Sequence, residues 1–256
     1  MHLKHLQTSW EEFAKEDPMW AILTDPRRKG KIWTPHEFFA TGQADIDALM
    51  ACLDSLQIRV PLDTALDFGC GIGRLAQGLC RYFTKVNGVD ISASMIEAAK
   101  RYNQHGHQCT YHLNTKPNLK LFSDSSMTFV YTVITLQHIP SHIQQRYIEE
   151  FFRLLKPGGV AVFQTLCSST AWRFVPARIV DLWRIIRHRR PFMGAYGLSV
   201  VKVSKLIRAA GCNLIELRSS PCEDESRFRW LATRYFVVKP SLRTFFILLF
   251  ILFPMD

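Results

Sequence analysis

The chain has no Cys-x-x-Cys pair. Its seven cysteines (Cys52, Cys70, Cys80, Cys109, Cys167, Cys212 and Cys222) are scattered and odd in number. That excludes a disulfide framework of the small secreted kind, argues against a structural zinc site, and fits a reducing compartment. No apolar signal-peptide core follows Met1-His2-Leu3-Lys4-His5, so cytoplasmic synthesis and residence are expected. Low-complexity stretches are scarce, and 48% of the 256 residues are hydrophobic. A globular chain with one sizeable domain, or one plus appendages, follows. No acid–base dyad or nucleophilic triad stands out. Acids do not balance bases either: the net charge is +10.

What the sequence does contain is organised around Thr64-Ala65-Leu66-Asp67-Phe68-Gly69-Cys70-Gly71-Ile72-Gly73-Arg74-Leu75-Ala76. An apolar run ends in an acid, three glycines alternate, and a helical pattern begins. This predicts a buried parallel strand, a tight bend and a helix N-terminus. Side chains at those glycines would hold a ligand away from the backbone. Asp67 falls at the carboxyl end of the strand, where open α/β sheets bind ligands. About 20 residues on, Val86-Asn87-Gly88-Val89-Asp90 reads as a second short strand ending in an acid. An acid at that spacing can accept both hydroxyls of a ribose.

Two nucleoside cofactors compete for this pattern. Gly71-Ile72-Gly73-Arg74-Leu75-Ala76 formally fits the dinucleotide fingerprint, with Asp90 as the ribose acid. S-adenosylmethionine (SAM) would instead place its positive amino group beside Asp67, a carboxylate that would repel a pyrophosphate.

The segments LDFGCGIGRLAQGL, GVDISASMIEAAK, TLQHIP and RLLKPGGVAVFQT occur in that order. In this the chain resembles the class I SAM-dependent methyltransferases of the small-molecule type, over roughly Ala65 to Lys239. The resemblance implies a Rossmann-like, seven-stranded, mostly parallel sheet with helices on both faces and an antiparallel last strand. It implies that Gly69, Gly71 and Gly73 wrap the methionine end of SAM, that Asp67 serves its amino group and Asp90 its ribose, and that Asn114 meets the adenine. Cys70, Ile91, Met95, Thr115, Thr135 and Leu136 complete the cofactor set it implies. Asn114 stands where many relatives have Asp, and Met127-Thr128 replaces the usual Phe-Asp pair before the fourth strand. His138, at the sheet's carboxyl edge, is the candidate catalytic residue, as base, substrate-orienting group or structural clamp.

Three regions flank this frame. Residues 1–60 are expected to form a helical extension over the cofactor site, with helices at Ser9 to Lys15 and Asp45 to Leu56. Trp33, Phe38 and Phe39 are candidates to roof it. Residues 61–240 make the SAM-binding domain, with 166–200 inserted as a substrate-side cap. Between Arg173 and Arg190 six arginines face one acid, Asp181, a patch that attracts anions or remains a solvated face. The tail, 241–256, holds nine consecutive large apolar residues, Phe245 to Phe253. As a helix these span about 14 Å, half of a bilayer core. Peripheral membrane contact through Arg173–Arg190 and Phe245–Phe253 is therefore one expectation, and packing on the protein or on a second subunit another.

Methyl transfer from a sulfonium is a direct displacement, so the protein mainly aligns the partners. The expected function is methyl transfer from SAM to a small-molecule or lipid-linked acceptor. An NAD-dependent oxidoreductase and a nucleic-acid modifier are the rivals. The second lacks an Asn/Asp-Pro-Pro-Tyr/Phe motif and any recognisable RNA-binding module. Lys156-Pro157-Gly158-Gly159 is read as a structural turn without chemistry.

Overall fold

The computed structural model describes residues 3–168, 193–222 and 230–241. The arginine-rich segment 173–190 and the apolar run 245–253 lie outside the described residues.

Seven strands form one sheet: β1 (Thr64–Phe68), β2 (Lys85–Asp90), β3 (Cys109–Leu113), β4 (Met127–Thr132), β5 (Leu155–Ser168), β6 (Asn213–Cys222) and β7 (Trp230–Val238). Their spatial order is β3-β2-β1-β4-β5-β7-β6. The first five run parallel, and β7 is antiparallel to both of its neighbours. The chain order reverses between β1 and β4, and a crevice opens there at the strands' carboxyl ends. This is the Rossmann-like sheet expected from the sequence.

The seven described α-helices are α1 (Leu3–Glu16), α2 (Pro18–Ile22), α3 (Pro35–Ser55), α4 (Arg74–Leu79), α5 (Ala93–Tyr102), α6 (Ser141–Leu154) and α7 (Val200–Ala209). Side chains alternate across the strands, and each face is buried by its own set of helices. Leu66 and Phe68 of β1 face a core shared with Tyr147, Phe151, Val203 and Ile207 of α6 and α7. Ala65, next to Asp67 in the two-residue repeat, faces the core of α3, α4 and α5, with Ile46, Leu49, Leu79 and Ile96.

Several elements depart from the sequence expectation for identifiable reasons. The helix expected from Asp45 begins at Pro35. Thr34 caps it, accepting from the Glu37 amide while the Glu37 carboxylate accepts from the Thr34 amide, and this capping box fixes the start. Gly42 is therefore inside the helix. A methyl there would run into the Arg74 carbonyl, so the glycine lets α3 and α4 cross closely. α1 starts at Leu3, six residues before the expected Ser9. The β-branched and aromatic run from Phe129 to Thr135 has strand propensity throughout, but β4 ends at Thr132 because Ile134 adopts φ +63° and reverses the chain. Lys156-Pro157-Gly158-Gly159 bulges out of β5 and is not a separate turn. Met127 pairs with Leu155 and Phe129 with Val160, and the Gly158 amide and Gly159 carbonyl bond Lys239 instead.

Candidate active site

The glycine bend is held from below by β2. The amides of Gly69 and Cys70 both donate to the Val89 carbonyl, at 2.8 and 3.0 Å. Gly69 and Gly71 have φ +77° and +52°. A methyl on Gly69 would clash with the Thr135 side chain, and one on Gly71 would lie 2.5 Å from Ile22 Cδ1. Asp90 ties the bend to the second strand: its carboxylate accepts from Gly71 N and from Ser92 N, both at 2.9 Å. Burial pushes the Asp90 carboxyl above its ordinary value.

Asp67 is buried, and its Oδ2 has no hydrogen-bond partner. Burial pushes its carboxyl up to about 7. The Arg74 guanidinium opposes that rise and the Asp90 carboxylate adds to it. Arg74 itself is buried and donates to Asp45 Oδ2 at 2.6 Å and Thr41 Oγ1 at 3.2 Å. This orphaned, partly protonated carboxyl lies beside the helix start and outside the cleft lining, where positive charge on a nearby ligand would favour its ionised form. It does not suit a pyrophosphate. The residues present thus fit SAM better than a dinucleotide.

A cleft of about 930 Å³, its open mouth included, lies above the bend, within the usual range of small-molecule sites. Of the residues expected from sequence, Gly69, Cys70, Gly71, Asp90, Ile91, Met95, Asn114 and Thr135 line it. Asp67, Gly73, Thr115, Leu136 and His138 are not in its lining. Asp67 points with the other odd positions of β1 toward α4, and a methyl on Gly73 would meet the Tyr111 hydroxyl behind the bend. Asn114 spends its amide on the carbonyls of Lys116 and Asn118, which shapes the loop after β3. Trp33, Phe38 and Phe39 do not roof the cleft. They pack behind its wall, in an apolar cluster with Met19, Ile72 and Met95. The wall is instead Leu3, Leu6 and Trp10 of α1 with Ala21 and Ile22 of α2, and Ile134, Ile139 and Tyr147 opposite. The spacing of Leu3, Leu6 and Trp10 is helical, and carrying the pattern back from Ser9 would have found them.

His138 closes the turn after β4. Its Nδ1 donates to the Gly194 carbonyl at 2.8 Å, and its ring meets Trp10 edge-on at 5.5 Å. Burial pushes its pKa down, and the Gly194 carbonyl only partly counters that, so the ring is neutral near pH 7. With Nδ1 protonated, Nε2 is left to accept a long bond, 3.4 Å, from the Gln137 amide. Tyr196 N donates to the Gln137 carbonyl and Gln144 Nε2 to the Tyr196 carbonyl. The histidine thus fastens the chain after residue 192 to the sheet's edge.

Sheet order, glycine bend and the acid ending β2 together define a nucleoside-binding α/β domain of the methyltransferase class. Residues 65–159 match the family model described as a methyltransferase domain. Over those residues the chain carries a methyltransferase domain, similar to those of the class I SAM-dependent enzymes. Ubiquinone biosynthesis O-methyltransferase of Coxiella burnetii is 32% identical over 113 residues, 43% of this chain and 46% of that protein. Malonyl-[acyl-carrier protein] O-methyltransferase of Enterobacter lignolyticus is 30% identical over 139 residues, 50% of each chain. The aligned region thus spans about half the length of the curated relatives. Magnesium protoporphyrin IX methyltransferase from Synechocystis PCC 6803, solved with bound SAH, has the same fold at 17% identity. It matches with a TM-score of 0.58 over 91% of this chain and 98% of that one.

Proposed function

We propose that the protein transfers a methyl group from SAM to a small, largely apolar acceptor, free or lipid-linked. The observation that carries this reading is a single cleft bounded by the glycine bend, the Asp90 carboxylate and an apolar wall from α1 and the turn after β4. Bound SAM supplies a methyl already activated by its sulfonium. Asp90 accepts the ribose hydroxyls, the bend lets the methionine end approach the backbone, and Ile91 and Met95 give apolar contact to the base. Leu3, Leu6, Trp10 and Ile134 exclude water and seat the acceptor, which is how alignment lowers the barrier. The two curated relatives are both named for O-methylation, which supports an oxygen nucleophile. His138 serves as a clamp: its Nδ1 proton is committed to Gly194 and its ring to Trp10.

The insertion, 166–200, is the proposed acceptor cap. Its arginines and the run Phe245–Phe253 support peripheral contact with an anionic membrane from the cytoplasmic side. Among the described residues no helix is long and apolar enough to cross a membrane. Nucleic acid is not the proposed partner. Asp90→Ala tests the cofactor assignment directly. SAM affinity measured by calorimetry falls more than tenfold, whereas an unchanged affinity overturns it.

A further inference from the structure

Helix α1 does more than line the cleft. Leu3, Leu6 and Trp10 form one stripe into it, and the next side chain, Glu11, leaves the helix toward α5. Its carboxylate accepts from Ser92 Oγ at 2.6 Å, from Ser94 N at 3.2 and 3.3 Å, and from the Ser94 hydroxyl. Ser92 is also the N-cap of α5, accepting from Met95 N at 3.1 Å. Its own amide donates to Asp90, and Asp90 holds the Gly71 amide. The bonds therefore run unbroken from α1 to the glycine bend through the carboxylate assigned to the ribose. Burial pushes the Glu11 carboxyl up, and the hydrogen bonds from Ser92 and Ser94 more than offset it, so the group stays ionised. The residue before Glu11, Trp10, packs on His138. Adjacent residues of α1 thus fasten the helix both to the start of α5 and to the turn after β4.

We propose that Glu11 is a positioning residue for the cofactor: by tying α1 to the start of α5, it sets the Asp90 carboxylate and holds the apolar wall closed over bound SAM. Three donors making four hydrogen bonds to one carboxylate exceed what a surface contact needs, since exposed ion pairs and single bonds contribute little. All of them come from the two serines that follow the ribose acid. Such a link acts on the lifetime of the complex, because an anchored wall must lift before the cofactor leaves. Loss of the link leaves the cleft open more of the time and weakens apparent affinity in proportion to the closed fraction.

The proposal rests on the SAM reading, and the test separates the two. SAM affinity by calorimetry and its dissociation rate by stopped flow are measured for wild type, E11A, E11Q, S94A and E11A/S94A, with Tm recorded for each. Wild-type SAM binding that D90A weakens more than tenfold establishes the SAM reading independently. Given that, E11A is expected to weaken SAM five- to tenfold, chiefly through faster dissociation. S94A, which removes only the partner hydroxyl, should weaken it two- to fivefold. The double variant should be no worse than E11A, because both changes break one link. E11Q keeps an accepting oxygen and should recover most of the affinity. Wild-type dissociation rates in E11A and S94A overturn the proposal even if Tm falls, and so do effects that add in the double variant.

Discussion

At the scale of single residues, two side chains sit where ordinary stability would not put them. Asp67 is a buried carboxyl held up near 7 by burial. A folded-state value above the unfolded one, about 3.9, contributes stability that is complete below pH 4 and lost as pH rises through 7. The ligand-free Asp67→Asn variant should therefore be more stable than wild type at pH 8 and indistinguishable at pH 4, as read by thermal melts. A cation arriving nearby favours the ionised form. SAM should bind with release of a proton and more tightly at pH 7.5 than at pH 6, and Asp67→Asn should flatten that profile. Calorimetry in buffers of different ionisation enthalpy measures both effects. The second residue is Ile134, β-branched yet at φ +63° and 43% exposed at the cleft. Such a conformation costs about 1–3 kcal/mol and recovers little of it through burial. Asn tolerates this region of φ/ψ. Ile134→Asn should raise Tm by about 2–4 °C while lowering turnover of the acceptor, the two read by melting and by a labelled-methyl assay.

At the scale of elements, the site depends on close backbone approaches. α3 and α4 cross where Gly42 meets the Arg74 carbonyl and Gly78 meets the Gly42 carbonyl. Arg74 opens α4 immediately after the glycine bend, so a shift of α3 is passed to the bend. Gly42→Ala should cost about 1–3 kcal/mol from overpacking and weaken SAM as well, which melts and calorimetry would read together. The turn after β4 is the counterpart. The left-handed Ile134 brings Thr135 over Gly69, its hydroxyl 3.2 Å from the Val133 carbonyl. A run of β-branched and aromatic residues from Phe129 to Thr135 favours strand by propensity, yet the strand stops at Thr132. Packing at the cleft overrides propensity there.

At the scale of the whole molecule, charge and apolar surface are unevenly distributed. Half of the net charge of +10 comes from residues 173–190, and the most apolar run is at 245–253. If the proposed membrane contact holds, the full chain should co-sediment with vesicles containing anionic lipid and not with neutral ones. Release by salt is expected because screening weakens such attraction. Deleting residues 242–256 should lower the bound fraction severalfold without altering SAM affinity. Equal sedimentation with both vesicle types, or none, rules out the charge-driven contact.

The sequence by itself determined the sheet, the bend and the second acid. Runs such as Thr64–Phe68 and Lys85–Asp90, with alternating glycines between them, carry their structure in local sterics and period. The face that Asp67 takes, the wall built by Leu3, Leu6 and Trp10 in place of Trp33, Phe38 and Phe39, and the bonds from Glu11 to Ser92 and Ser94 were decided only by tertiary structure. Glu11 and Ser92 are 81 residues apart, and no local pattern encodes which distant donor a partly buried carboxylate will find. That follows from how the helices pack on the sheet, where long-range burial outweighs the preferences of any short stretch.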